Sequence, residues 1–391
     1  MARVAEAGPR RLPAQRSGRA ALAVSALALL AAARARAEAP VAELTRAKVE
    51  AIEAAVTADM TRLAIPGMSV AVANQGALRF TNGYGLADVE NGVPAKASTI
   101  YRLASVSKPI TAVAVLQLAE KGLLELDAPI QRYVPAFPEK PWPITARALL
   151  GHLGGVRHYR DDEPTNTRPC PSVLEGLAFF KDDPLVQEPG TKFLYSTYGY
   201  NLLGAAVEGA SGRPYLDYLR ENVFGPASMT STRVDEVAAI IPNRAQGYTR
   251  AGGGIRNADL ADVSYKVPGG GLCSTAADVA RFGLALASGS LLRRETLAQM
   301  LASQRTRDGR TTGYGLGLNV AAVVAGKRRE AWHTGGQERV STVVFLVPDD
   351  GLSVVVLCNL EGVGSDLVAL SRRIVSIVGA DTAAAAGATR R

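Results

Sequence analysis

Ser105 and Lys108 stand three residues apart at the head of an apolar run that reaches Leu118. On a helix that spacing puts both side chains on one face. A serine hydroxyl becomes a competent nucleophile when a neighbouring base takes its proton. A lysine amine is such a base once desolvation or nearby positive charge lowers its pKa from about 10.4. The pair alone has little specificity, since S-x-x-K arises about once by chance in a chain of this length and ordinary composition.

Two further stretches supply what the pair lacks. In Phe193-Leu194-Tyr195-Ser196-Thr197, a tyrosine held near cations can shuttle the serine proton and later protonate a leaving group. Trp332-His333-Thr334-Gly335-Gly336 leads into a β-branched run from Val340. A glycine-rich strand edge lets a substrate backbone come close. Its N–H groups can donate to an oxyanion, and His333 and Thr334 can bind a carboxylate. Gln337, Glu338 and Arg339 follow directly and are expected to border the same cleft.

Other chemistries lack their residues. His152, His158 and His333 form no zinc-binding spacing, so no metal is expected. No G-x-S-x-G occurs, and the glycines at 252–254 and 269–271 match neither a P-loop nor a dinucleotide fingerprint. His152 and His158 lie either side of Gly154-Gly155 and read as structural. Cys170, Cys273 and Cys358 are odd in number and irregularly spaced, so no disulfide framework follows. Cys358 sits in an apolar strand and reads as a small core hydrophobe.

The elements that position these residues follow from periodicity. Ile110, Val113, Ala114, Val115, Leu116 and Leu118 cover nearly every side of a helix, so that helix should be buried all round. Pro109 places its start close to Ser105, near the positive end of the helix dipole, and Gly122 ends it. An amphipathic helix is expected from Val41 to Leu63, then a hairpin of Met68–Ala73 and Ala77–Asn82. Residues 127–262 read as a mostly helical inserted region punctuated by prolines. A helix from Thr275 to Ala287 follows, then strands near Trp332, at Val340–Val347 and at Leu352–Cys358. The last helix spans Ser365–Val378, and a low-complexity alanine tail, residues 381–391, is expected to be disordered. One antiparallel sheet flanked by helices could collect both ends of the chain, an α/β (α+β) architecture.

The N-terminus reads separately. Five arginines precede an apolar run from Ala20 to Ala33, and Ala35-Arg36-Ala37 offers a small-x-small cleavage site. Residues 1–37 therefore read as a signal peptide for a periplasmic or secreted protein, with a mitochondrial transit peptide as the alternative. The folded domain is then 38–380, with no stable membrane insertion expected after signal removal. The leader's seven arginines and one glutamate carry +6 of the chain's +8, so the remainder holds about +2. Such a balance gives no support to nucleic-acid binding.

Ser105-x-x-Lys108, Tyr195-x-Thr197 and His333-Thr334-Gly335 resemble the three ordered motifs of the serine β-lactamase and penicillin-binding protein superfamily, in its class C-like branch. The chain is most similar to the mitochondrial serine β-lactamase-like protein family. That likeness extends through Gly83–Asn91, Tyr133–Lys140, Gly155–Tyr159, Phe180–Pro184 and Ser264–Gly271. The resemblance implies a β-lactamase/transpeptidase-like fold and a cofactor-free serine hydrolase. Ser105 would be the acylated nucleophile, Lys108 its base and Tyr195 a second acid/base. The N–H groups of Ser105 and Gly336 would form the oxyanion hole. Thr197, His333, Thr334 and Gly335 would bind substrate. Thr197 replaces the usual asparagine and lacks its paired donor and acceptor. His333 replaces the usual lysine and carries no fixed charge near neutral pH. Small peptide or amide substrates are the first expectation; ester hydrolysis or weak β-lactamase or D-alanyl-D-alanine carboxypeptidase activity is the alternative. The competing class is a non-catalytic binding or self-assembling protein on the same fold.

Overall fold

The structure, a computed structural model, describes residues 43–321 and 328–388. The leader read at 1–37 lies outside them. Helix α1 (Arg46–Leu63) leads into strands β1 (Gly67–Asn74), β2 (Ala77–Asp88), β3 (Val93–Pro94) and β4 (Tyr101–Arg102). Helix α2 (Ser107–Glu120) follows, then α3 (Ala146–Leu150), α4 (Thr197–Ser211) and α5 (Tyr215–Leu219). Next come the short strands β5 (Arg233–Val234), β6 (Tyr248–Ala251) and β7 (Gly254–Asn257), and the turn of helix α6 (Val267–Gly270). Strand β8 (Leu272–Ser274) precedes α7 (Ala276–Ala287) and α8 (Arg294–Met300). The chain closes with β9 (Asn319–Val320), β10 (Ala331–Gln337), β11 (Val340–Val347), β12 (Leu352–Cys358) and helix α9 (Gly364–Ala388).

Seven strands form one antiparallel sheet in the order β3-β2-β1-β12-β11-β10-β9. Its centre joins the two ends of the chain, with Met68 opposite Cys358 and Ala73 opposite Ser353. The expected first hairpin forms at Gln75-Gly76, both at positive φ, as a two-residue primed turn requires. Alternation then sorts the strands' side chains. Met68, Val70, Val72, Phe345 and Val354 join α1 and α9 in one apolar layer. Ala71, Ala73, Val344, Leu346 and Val355 face the opposite way, toward α7 and the helices beyond. Both faces are covered, so β11 and β12 are buried along their whole length.

Helix α2 is the spine of the second layer, and every residue from Ser107 to Leu118 is buried. Pro109 is its third residue, where the missing N–H would have had no intrahelical partner. Gly122, at φ +69°, follows its last turn.

The region 127–262 is less helical than the sequence reading expects. Its one long helix is α4, while Gly151–Ser196 holds only short 3-10 turns and proline-rich loop. The β6–β7 hairpin also lies here, closed by Gly252-Gly253. Helix α9 continues to Ala388, past the expected end at Val378 and through most of the tail read as disordered. Alanine has the highest helix propensity of any residue, which favours that extension. Among the described residues no helix is long and apolar enough to cross a membrane.

Candidate active site

Strand β4 is pinned to β8, Leu103 N donates to Leu272 O at 2.8 Å, and the chain then reverses into α2. Ala104 makes that turn at φ +49°, a left-handed conformation that costs about 1–2 kcal/mol for a residue with a Cβ. The strain presents Ser105, partly exposed, at the start of the helix.

Strand β10 passes directly against this turn. A Cβ on Gly335 would lie 2.1 Å from Thr342 Oγ1, 2.3 Å from Leu103 O and 3.1 Å from Ala104 Cβ. Thr342 Oγ1 donates to Leu103 O at 2.8 Å and fastens the two segments. Gly335→Ala is therefore expected to destabilise the fold by about 1–3 kcal/mol. It should also cut kcat by pushing β10 off Ser105, measured by denaturant titration beside steady-state kinetics.

Lys108 lies one turn after Ser105 and is 0% exposed. Its Nζ is 3.0 Å from Ser105 Oγ, 3.1 Å from Thr197 Oγ1 and 2.7 Å from Gly269 O. Burial, and secondly the charge of Lys266, push this amine well below the ordinary lysine range. A neutral amine can donate to Gly269 O and Thr197 Oγ1 and keep its lone pair for the Ser105 proton. Thr197 thus contacts Lys108 despite replacing the usual amide.

Tyr195 precedes α4, whose N-cap Ser196 accepts from Gly199 N at 2.9 Å. Its side chain neighbours Ser105, and burial raises the phenol, which stays protonated. Lys108 Nζ lies 4.8 Å from the centre of its ring. His152 Nδ1 and His158 Nδ1 accept the N–H groups of Ser196 and Thr197, at 3.1 and 3.2 Å. Desolvation and the neighbouring Lys108 hold both histidines neutral, His158 down at about 4. The two residues read as structural hold the Tyr195 loop in place.

His333 is 2% exposed and faces the same interior. Its Nδ1 meets Thr334 O at 2.7 Å and its Nε2 meets the Tyr314 hydroxyl at 2.9 Å. A carbonyl only accepts, so Nδ1 carries the proton and Nε2 accepts from Tyr314. Burial, then Lys108, lower the imidazole to about 3. His333 is therefore neutral with both nitrogens engaged. Strand alternation turns the Thr334 side chain to the opposite face from His333, toward the start of α9 at Gly364.

Gly336 is exposed, with open space where a Cβ would be. The β10–β11 hairpin closes at Gln337 opposite Val340, through a two-residue turn. Alternation of antiparallel pairs then aims the Gly336 N–H away from β11. On that edge β9 pairs only with Ala331 and Trp332, so the N–H faces the Ser105 side. The Ser105 N–H, in a first helical turn, also lacks an intrahelical acceptor.

One cation escapes the sequence reading. Lys266, 1% exposed, sits 4.8 Å from the Tyr159 ring centre and is an electrostatic neighbour of Lys108. Burial lowers it to about 8, an effect Glu338 partly offsets. Gln337 Nε2 and Glu338 Oε2 are buried without a partner. Lys266 falls within the Ser264–Gly271 likeness, but no spacing rule marks such a lysine as functional. Among the described residues no cluster of metal-ligating side chains occurs.

A serine at a strained helix start, a buried lysine one turn on and a tyrosine from a facing loop are the constellation of serine β-lactamases and penicillin-binding proteins. The β-lactamase family model matches residues 52–378. The human serine beta-lactamase-like protein LACTB, mitochondrial, is 31% identical over 78% of this chain and 75% of its own length. The octameric penicillin-binding protein homologue from Pyrococcus abyssi aligns with a TM-score of 0.68 and 26% identity, over 80% of this chain and 73% of that one. The D-amino acid amidase from Ochrobactrum anthropi, solved with L-phenylalanine amide, shares the fold at a TM-score of 0.73 and 24% identity, over 86% and 99%. This chain belongs to the β-lactamase family, a family of serine hydrolases.

Proposed function

We propose that this protein hydrolyses small amide or peptide substrates through an acyl-enzyme on Ser105. The observation that carries the reading is the fully buried Lys108 amine, 3.0 Å from a partly exposed serine hydroxyl. Lys108 accepts the Ser105 proton as Oγ attacks the carbonyl carbon. The resulting oxyanion lies between the N–H groups of Ser105 and Gly336. Tyr195 donates a proton to the leaving amine and takes back the one that Lys108 removed from Ser105. Water then attacks the ester by the same path in reverse, releasing the acid and restoring the hydroxyl. The amide preference is supported by Tyr195, since an amine leaves only after protonation. The fold shared with a D-amino acid amidase agrees with that preference.

Labelling with a fluorescent fluorophosphonate and with a fluorescent penicillin tests the reading. Mass spectrometry of the digested adduct should place the label on Ser105. A folded protein that takes up neither probe would favour the non-catalytic scaffold.

With His333 neutral, Lys266 is the standing cation able to hold a substrate carboxylate. The kcat/KM for a carboxylate-bearing peptide should therefore decline above about pH 8, as Lys266 loses its proton. The same peptide with an amidated terminus should show no such decline. Equal profiles for the two substrates would remove Lys266 from substrate binding.

Residues 1–37 direct the protein to the periplasm or outside the cell on this reading, and the mitochondrial relative supports the alternative destination. Fusing them to a phosphatase active only after export distinguishes the two. Assembly into higher oligomers, by analogy with the octameric Pyrococcus homologue, is read by light scattering.

A further inference from the structure

Beside β4, the strand that leads to Ser105, lies a second polar chamber. A cavity of about 170 Å³ is bounded by Tyr101, Arg102, Asp235, Arg244, Arg339 and Asn359, with apolar side chains at its rim. Arg102 is 6% exposed. Its Nε pairs with Asp235 and its Nη2 donates to Ala261 O at 2.8 Å, while Nη1 is buried with no partner. Arg339 Nε is likewise buried and unpartnered. Arg244 donates to the other Asp235 oxygen at 3.1 Å. Three guanidinium groups thus line the cavity beside a single carboxylate, both of whose oxygens are already engaged.

The chain accepts strain to hold Arg339 there. Its backbone sits at φ +83° and its N–H donates to Glu361 Oε1 at 2.8 Å. Gly247 leaves the room it needs, because a Cβ there would fall 2.0 Å from Arg339 Cβ. The side chain expected to border the cleft therefore turns into this chamber instead. Water could satisfy the two orphaned N–H groups but would leave the excess positive charge uncompensated, whereas an anion does both. A cavity of about 170 Å³ has room for several waters, and so for one tetrahedral oxyanion.

We propose that this chamber binds a small inorganic oxyanion, of the phosphate or sulfate type, between Arg102 and Arg339. Arg102 lies three residues before Ser105 and Arg339 three after Gly336. The anion therefore braces the two segments that carry the proposed oxyanion-hole donors, without touching the substrate. Binding here is independent of whether Ser105 turns over.

Equilibrium dialysis of the full chain against radiolabelled inorganic phosphate tests this, with gluconate holding the ionic strength constant. One saturable phosphate per chain is expected, competed by sulfate. A thermal melt should rise by about 3–4 °C at one hundred times the dissociation constant. Arg339→Gln and, separately, Arg244→Gln should weaken binding at least about tenfold and flatten the melting response, with circular dichroism confirming that each is folded. Absence of saturable binding by the wild-type chain overturns the proposal and leaves a water-filled cavity. Undiminished binding by both folded variants places the phosphate elsewhere and overturns it equally.

Discussion

Ser105→Ala should lower kcat/KM toward any hydrolysed amide by roughly 10⁴-fold or more and leave the fold intact. The size of the loss follows from the neighbours. Ser107, two residues on, is fully buried and its Oγ accepts the Leu272 N–H at 3.3 Å, so it cannot replace the lost hydroxyl. Thr197 Oγ1 is occupied by Lys108 and buried in the first turn of α4. The Tyr195 phenol stays protonated and is a poor nucleophile. Steady-state kinetics on the variant, with circular dichroism and a denaturant titration, measure both halves of the expectation. Residual activity within tenfold of wild type would assign the chemistry to another group.

Lys108→Met should lower kcat by roughly 10²–10⁴-fold, the usual range for removing a general base. Methionine suits the buried channel without carrying a charge. In the wild-type enzyme kcat/KM should fall as pH drops through the depressed pKa of Lys108, because the protonated amine cannot accept the serine proton. The variant's small residual rate should lack that acid limb. Stability gives a second reading with its own sign. In the window between the folded pKa and the unfolded value near 10.4, the unfolded chain binds a proton that the folded chain excludes. Wild-type stability should therefore rise with pH across that window, relative to the variant, and the difference should be flat below it. Parallel stability curves from pH 7 to pH 11 would mean that Lys108 is charged in the folded protein.

Helix α2 is legible in the sequence because its apolar residues surround it, a pattern compatible with burial on every side. Both faces of the sheet are covered, so β11 and β12 read as continuous apolar runs. The proline-rich middle reads as more helical than it is, since its loops are held by tertiary bonds such as Leu194 N to His152 O at 2.8 Å. Sequence spacing carries no record of such contacts.

The amino-acid order by itself determined which groups could react: a serine and a lysine one helical turn apart, a tyrosine, and a glycine-rich strand. These are local facts, set by side-chain type and by the 3.6-residue and two-residue periods. The tertiary structure decided how each group behaves. Burial lowers the pKa of Lys108, and the Tyr314 hydroxyl and Thr334 carbonyl occupy the ring of His333. Strand alternation turns the Thr334 side chain toward Gly364, while Lys266 comes close to Lys108 from a distant loop. Protonation and orientation depend on desolvation and on charges brought together from across the chain, so only the folded arrangement sets them.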